Sequence, residues 1–348
     1  MASLIDWDLA ARAAKRLSPA SPAVSREVAD ETVAELYQAT KLAAGHVADL
    51  TRLHEPEVTA QTRVVDREGW IDVNASGMRK LMTPIVDRLA AANKVGPLAE
   101  SIGGRITGVQ AGALLGFLSG KVLGQFEFFD EAAGQLILVA PNVVTVEQQL
   151  RVDPTDFRLW VCLHEVTHRV QFTAVPWLRE HMLGEVKALS DSVDTDPEVM
   201  RERVRAALGE LVNVVRGQGD GAGLIAALAS PEQREIIDRV TAFMSLVEGH
   251  AEYVMNAVSP DVIPTQKVIE ERFGLRRRKG GNPLDKLLRR LLGLDAKTRQ
   301  YVEGAAFVRA VVERVGLAGF NAVWTSPETL PRKGEIRAPD RWVERVHG

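Results

Sequence analysis

With 348 residues the chain can form one large domain or two of ordinary size, and 46% hydrophobic against 26% charged residues is the balance of a globular protein with a sizeable core. Its 43 basic and 46 acidic side chains leave a formal charge of -3, which excludes a global attraction to nucleic acid or anionic membranes. The single cysteine, Cys162, excludes an intramolecular disulfide and agrees with a reducing cytoplasm, where the protein is expected to reside.

The first expected element is an amphipathic helix from Asp6 to Leu17, with Trp7, Ala11, Ala14 and Leu17 on one face, broken by Ser18-Pro19-Ala20-Ser21-Pro22. Asp6 and Asp8 interrupt any apolar run there, so no secretory signal is expected. Ser25 to Leu53 reads as a long helix with Val28, Val33, Leu36, Leu42, Val47 and Leu50 inward. Ala60 to Asn74 reads as a short strand or a loop, leading into a helix from about Asn74 to Ala92. From Gly104 to Gly124 a glycine falls at every fourth position. Each such step advances about 40° round a helix, so the glycines line a groove that another helix can approach closely. The apolar stretch from Ile106 to Ser119 is too short to span a bilayer, so this packing is expected in a soluble core and no membrane span is expected. Gln135 to Asn142 is the best strand candidate, an apolar run closed by Pro141-Asn142.

The chemistry begins at Val161-Cys162-Leu163-His164-Glu165-Val166-Thr167-His168, which contains H-E-x-x-H. With seven histidines in the chain, such a match arises by chance on the order of 0.01 times. Asp153 is a suitable N-cap, Pro154 fits the first turn and Asp156 the positive end of the dipole, so the run is expected on a helix. His164 and His168 then share a face and can reach one zinc ion, while Glu165, about 100° round, can meet a water on it as general base. Cys162 points to another face and reads as a core thiol. Arg169, directly after the second histidine, requires a nearby acid or a partly open helix.

Catalytic zinc usually has three protein ligands plus water. Gln171 and Ala174 exclude the continuation with Gly and His at those positions, so the third ligand is expected on a second helix. The candidate helix runs from Ser230-Pro231 to about Val258 and carries Phe243-Met244-Ser245-Leu246-Val247-Glu248-Gly249-His250-Ala251-Glu252. Glu248 and Glu252 share a face; Glu248 is the candidate third ligand and Glu252 the acceptor for a ligating histidine's distal nitrogen. His250 competes for the third position, or lines the site and steadies an oxyanion. Gly217 to Gly223 reads as a linker. The basic cluster Arg276 to Lys279 and the segment Leu284 to Leu292 read as solvated amphipathic surface, with no nucleic-acid partner expected. Asp295 to Val315 reads as a helix bearing Tyr301, a further oxyanion candidate, and the aromatic and proline-rich end as an ordered tail.

Glu248-x-x-x-Glu252 after His164-Glu165-x-x-His168 resembles the gluzincin arrangement. More closely, the chain resembles the zincin-like type 2 metallopeptidase family, some of whose members are linked by gene context to biosynthesis of a deazaflavin coenzyme. Trp7 with Ala11, Leu115-Gly116, Val122-Leu123-Gly124-Gln125, His164-Glu165-x-Thr167-His168, Leu246-x-Glu248-Gly249-His250-Ala251, Gln300-Tyr301, Gly319-Phe320-Asn321-x-x-Trp324, Pro327-Glu328-x-Leu330-Pro331 and Trp342-x-x-Arg345-Val346 carry the resemblance. It implies a mainly α (α+β) fold, a zincin-like helical body with a small sheet beside the H-E-x-x-H helix. The expected organisation is a single domain over 1–348, divisible into lobes 1–216 and 224–348. By the same resemblance Gln135 to Asn142 becomes the candidate edge strand that pairs with an extended substrate. The expected activity is zinc-dependent hydrolysis of a peptide or a small amide; a zinc-containing scaffold without turnover is the alternative.

Overall fold

The computed structural model describes residues 5–57, 60–92, 97–129, 134–192, 205, 229–279 and 294–348, with backbone alone at 84–85, 87–92, 97–102, 277–279 and 294–301. The helix expected from Asp196 to Val215, the glycine-rich linker 217–223, the segment 284–292, the basic side chains beyond Arg276 and the side chain of Tyr301 lie outside the described residues. The fold is mainly helical, and the chain divides into two compact units. No described helix is long and apolar enough to cross a membrane.

The first unit comprises Met1–Ala174 and Val258–Arg272. It contains α1 (Trp7–Leu17), α2 (Arg26–Thr51), β1 (Gln61–Val65), α3 (Arg67–Ala92), α4 (Pro97–Ser119), β2 (Gly124–Glu127), β3 (Gln135–Val139), α5 (Ala140–Leu150) and α6 (Pro154–Ala174). The strand order is β1-β3-β2, with β1 parallel and β2 antiparallel to β3. All five residues of β3 are buried, which accounts for its unalternating apolar sequence. This corrects the edge-strand expectation: β3 is central, so its main-chain groups are committed on both sides, and β2 forms an edge. Pro141 does not close a turn; it sits in the first turn of α5, where its missing N–H costs nothing.

Two further boundaries differ from expectation for local reasons. Helix α3 begins at Arg67 rather than near Asn74, because Asp66 Oδ1 accepts a hydrogen bond from Gly69 N at 2.7 Å and caps the helix early. On α2 the buried face is Thr32, Leu36, Ala39, Thr40, Ala43, Val47 and Thr51, whereas Val28 and Leu42 are exposed. The buried threonines donate to the carbonyls of Val28, Leu36 and Val47, one turn back, so their hydroxyls enter the core satisfied. Over Gly108, Gly112 and Gly116 the glycine stripe packs α4 on α1: a Cβ at Gly108 would stand 2.6 Å from Asp6 O, one at Gly112 2.5 Å from Ala10 O, and one at Gly116 2.9 Å from Ala14 O. The expected groove is shorter than its sequence pattern, because α4 ends at Ser119; Gly120 lies beyond it and Gly124 opens β2.

The second unit comprises Val175–Ala257 and Phe273–Gly348. It holds α7 (Trp177–Asp191), α8 (Pro231–Ala257), the later turns of α9 (Gln266–Lys279), α10 (Leu294–Phe320), two 3-10 turns at Asn321–Trp324 and Pro327–Thr329, α11 (Lys333–Ile336) and α12 (Pro339–His347). Helices α8 and α10 cross where Gly249 meets the backbone of Gly304 and Ala305, an approach with no room for a side chain at residue 249. The tail is ordered: Trp342 is fully buried, its Nε1 donates to Thr329 O at 2.8 Å, and its ring meets Phe307 edge-on at 5.9 Å.

Candidate metal centre

Helix α6 starts as its sequence dictates. Asp153 Oδ1 accepts from Asp156 N at 3.0 Å, and Asp156 Oδ2 in turn accepts from Thr265 N at 2.9 Å and Thr265 Oγ1 at 2.6 Å. One side of α6 packs on α2; another packs on the sheet, where Phe172 stacks on Phe126 of β2 with ring centroids 5.8 Å apart. Cys162 lies on the α2 side, fully buried near Thr40 Oγ1 and Leu36 O, and burial pushes its thiol up to about 12. It is a core thiol.

His164 and His168 share the half-buried face of α6, with their Nε2 atoms 3.2 Å apart and their rings at 88°. His168 Nδ1 lies 3.0 Å from Gln171 Oε1. An amide oxygen only accepts, so Nδ1 carries the proton and Nε2 keeps its lone pair for a metal. Gln171 therefore orients the His168 ring. In sequence Gln171 stands where the excluded continuation needs Gly, Ala174 being the position that lacks the third histidine; its spacing of three residues from His168 on a helix is the signal that places it beside that ring.

Glu165 is 7% exposed and turns towards β2. A Cβ built on Gly124 would stand 2.6 Å from Glu165 Cγ, 2.7 Å from Cδ and 3.0 Å from Oε1. Val139 N donates to Leu123 O at 2.8 Å, which sets the antiparallel pattern: Leu123, Gln125 and Glu127 direct their main-chain groups at β3, and Gly124 and Phe126 direct theirs to the outer edge. Arg169 has found its acid. Its Nε and Nη2 donate to Glu55 Oε1 and Oε2 at 2.7 and 2.9 Å, and its Nη1 to Thr62 Oγ1 at 3.2 Å, so the helix stays buried at that point.

In the second unit, α8 carries the other candidates. Glu248 is 5% exposed among Phe243, Leu246, Val247 and Ala251, and Glu252, one turn on, is half-buried. His250 is 1% exposed, its ring 5.4 Å from that of Phe320 and 5.2 Å from that of Trp324. Gly249, singled out in the sequence as a point of close approach, faces the backbone of α10.

The sequence profile of zincin-like metallopeptidases matches residues 5–343, nearly the whole chain. The chain belongs to that family. This zincin-like metallopeptidase also resembles a protein from Chloroflexus aurantiacus whose crystal structure describes it as a provisionally assigned hydrolase with a novel fold; the two are 33% identical, with a TM-score of 0.72 over 99% of each chain. No curated protein matches the chain. Membership of the zincin-like family implies zinc, and the residues of α6 fit it. Tetrahedral zinc holds imidazole nitrogens at about 2.0–2.1 Å, which sets two of them about 3.3 Å apart. The 3.2 Å separation of the His164 and His168 Nε2 atoms meets that requirement.

Proposed function

We propose that the protein is a zinc-dependent peptidase in which His164, His168 and Glu248 hold the metal and Glu165 is the general base. The observation that carries this reading is the placement of Glu165: its carboxylate lies on the helix of the two imidazoles and against Gly124 of the edge strand β2. Glu248 is a buried carboxylate on α8, and a carboxylate oxygen is a donor that zinc accepts beside imidazole nitrogens. This supports it as the acid that completes an N, N, O donor set suited to zinc. Glu252, sharing its face, is proposed to accept a hydrogen bond from a ligating histidine.

Zinc, when bound, supplies an acidified water and polarises the scissile carbonyl. Glu165 takes the proton of the attacking water at a carboxylate oxygen and delivers it to the leaving nitrogen. Burial of Glu165 keeps competing solvent from that carboxylate. Gly124 and Phe126 offer outward main-chain groups to an extended chain, which supports a peptide over a small amide as substrate. His250, enclosed by two rings, and Tyr301 are given no step. The lone buried cysteine supports a cytoplasmic location.

The experiment pairs metal analysis with hydrolysis of a quenched-fluorescent peptide library. Glu165→Gln should keep one zinc per chain while cleavage falls about 10²–10⁴-fold. Unchanged turnover would remove Glu165 from the mechanism. Glu248→Ala should lose stoichiometric zinc, and retention would overturn that ligand. Zinc-loaded wild type that cleaves small amides but no peptide refutes the substrate class; one that cleaves neither is a scaffold.

A further inference from the structure

We propose that Gly124 is the positioning residue for Glu165: the absent side chain on the edge strand makes the space in which the general base stands. The proposal rests on the reading of Glu165 given above, and deepens it. Gly124 is not one of the positive-φ glycines, Gly134 and Gly316, so its backbone accepts any L-residue. What the position lacks is room. An added Cβ would meet Glu165 at Cγ, 2.6 Å away, before reaching the carboxylate. Rotation about the outer bonds of Glu165 moves Cδ and the oxygens but leaves Cγ in place. Only a change of χ1 clears the contact, and on a helix that torsion has two usable wells, so relief carries the whole carboxylate off the face it now occupies.

Neither element can retreat instead. Helix α6 is fastened to the loop before β1 and to β1 itself by Arg169, and to β2 by the Phe126–Phe172 stack. Strand β2 is paired along one side with β3. From its opposite face Gln125 Oε1 accepts from Trp70 Nε1 at 3.0 Å, and Gln125 Nε2 donates to Asn74 Oδ1 at 3.1 Å, holding the strand to α3. The alternation of a strand puts Gly124 and Phe126 on the α6 face and Gln125 and Glu127 on the α3 face, so one residue without a side chain opens a slot on the catalytic side alone.

The test is a double-mutant cycle on zinc-loaded protein: wild type, Gly124→Ala, Glu165→Ala and the double variant, each followed by zinc content and thermal unfolding. Gly124→Ala should lower Tm by about 2–6 °C in the wild-type background. In the Glu165→Ala background, where Cγ is gone, the same change should move Tm by less than about 1 °C. All four should bind one zinc per chain. An equal fall in both backgrounds would mean that the glycine serves strand packing alone, and would overturn the proposal. On a peptide that wild type cleaves, Gly124→Ala should lower kcat about 100-fold with KM within about threefold, because a base displaced by an ångström loses that much rate. A change confined to KM would also overturn it. If turnover survives Glu165→Gln, the mechanism above fails on its own evidence, while the Tm cycle still decides whether residues 124 and 165 compete for one space.

Discussion

Arg169→Met tests how α6, the helix of His164 and His168, is anchored. The substitution keeps an unbranched stem of comparable reach and removes three donated hydrogen bonds, two to Glu55 and one to Thr62. The Arg169 and Glu55 side chains are 7% and 13% exposed, so the pair is buried rather than a surface bridge. Removing one partner of a buried pair costs about 3–5 kcal/mol, chiefly through the charge left behind. Glu55 keeps some access to water, which places the cost at the lower end, about 3 kcal/mol. At about 2–4 °C per kcal/mol, Tm should fall by about 6–12 °C. Urea unfolding followed by circular dichroism measures the loss directly, and one zinc per chain should remain bound, since neither imidazole is altered. The double variant Arg169→Met with Glu55→Leu should recover much of the loss, because the stranded carboxylate is gone. A single variant within about 0.5 kcal/mol of wild type, or a double variant no better than the single, would refute the assignment of the pair as an anchor.

Gly112→Val should cost about 3 kcal/mol or more, since its side chain is driven into Ala10 O and Ala13 Cβ at the α1/α4 crossing. Gly45→Ala on α2, with nothing within 4 Å, should gain about 0.5–1 kcal/mol, and thermal melts that rank the two alike would refute the packing role of the stripe. Stability of the tail should depend on pH through Glu335. Burial alone would raise its carboxyl, but hydrogen bonds from Arg345 and from Arg332 N outweigh burial and hold it below its ordinary 4.5. The unfolded chain then takes up the proton first, so the stability contributed is complete above about pH 4.5 and is lost as pH falls through the lower folded value. The Tm difference between wild type and Glu335→Gln should shrink between about pH 6 and pH 3, and a constant difference would refute the linkage.

The parts of this fold that were legible in sequence are those fixed by neighbours in sequence. The α6 cap, the shared face of His164 and His168 and the glycine stripe of α4 each follow from helical spacing. The parts that were not legible depend on distant partners. Gly124-Gln125-Phe126-Glu127 has little strand character and becomes β2 by pairing with β3, whose unalternating apolar run marks burial on both faces but does not say which strands flank it. The inward face of α2 departs from the apolar spacing of its sequence because threonine counts as polar until its hydroxyl is spent on the preceding turn. The space around Glu165 is set by Gly124 on another element, and the helical spacing of the glycines before it points to helix packing, not to a strand beside α6.

The meeting of Gly249 with Gly304 bears on how the proposed acidic ligand could be moved. Glu248 directly precedes Gly249, so its height along the bundle is fixed where the backbones of α8 and α10 touch. Grafting Leu246-Val247-Glu248-Gly249-His250 onto a foreign helix would carry the carboxylate without its coordinates. One methyl group at residue 304, driven against Ser245 O, would shift the acid as surely as a change beside it. The ligand thus has two addresses in the chain, a recognisable motif and a solitary glycine far downstream.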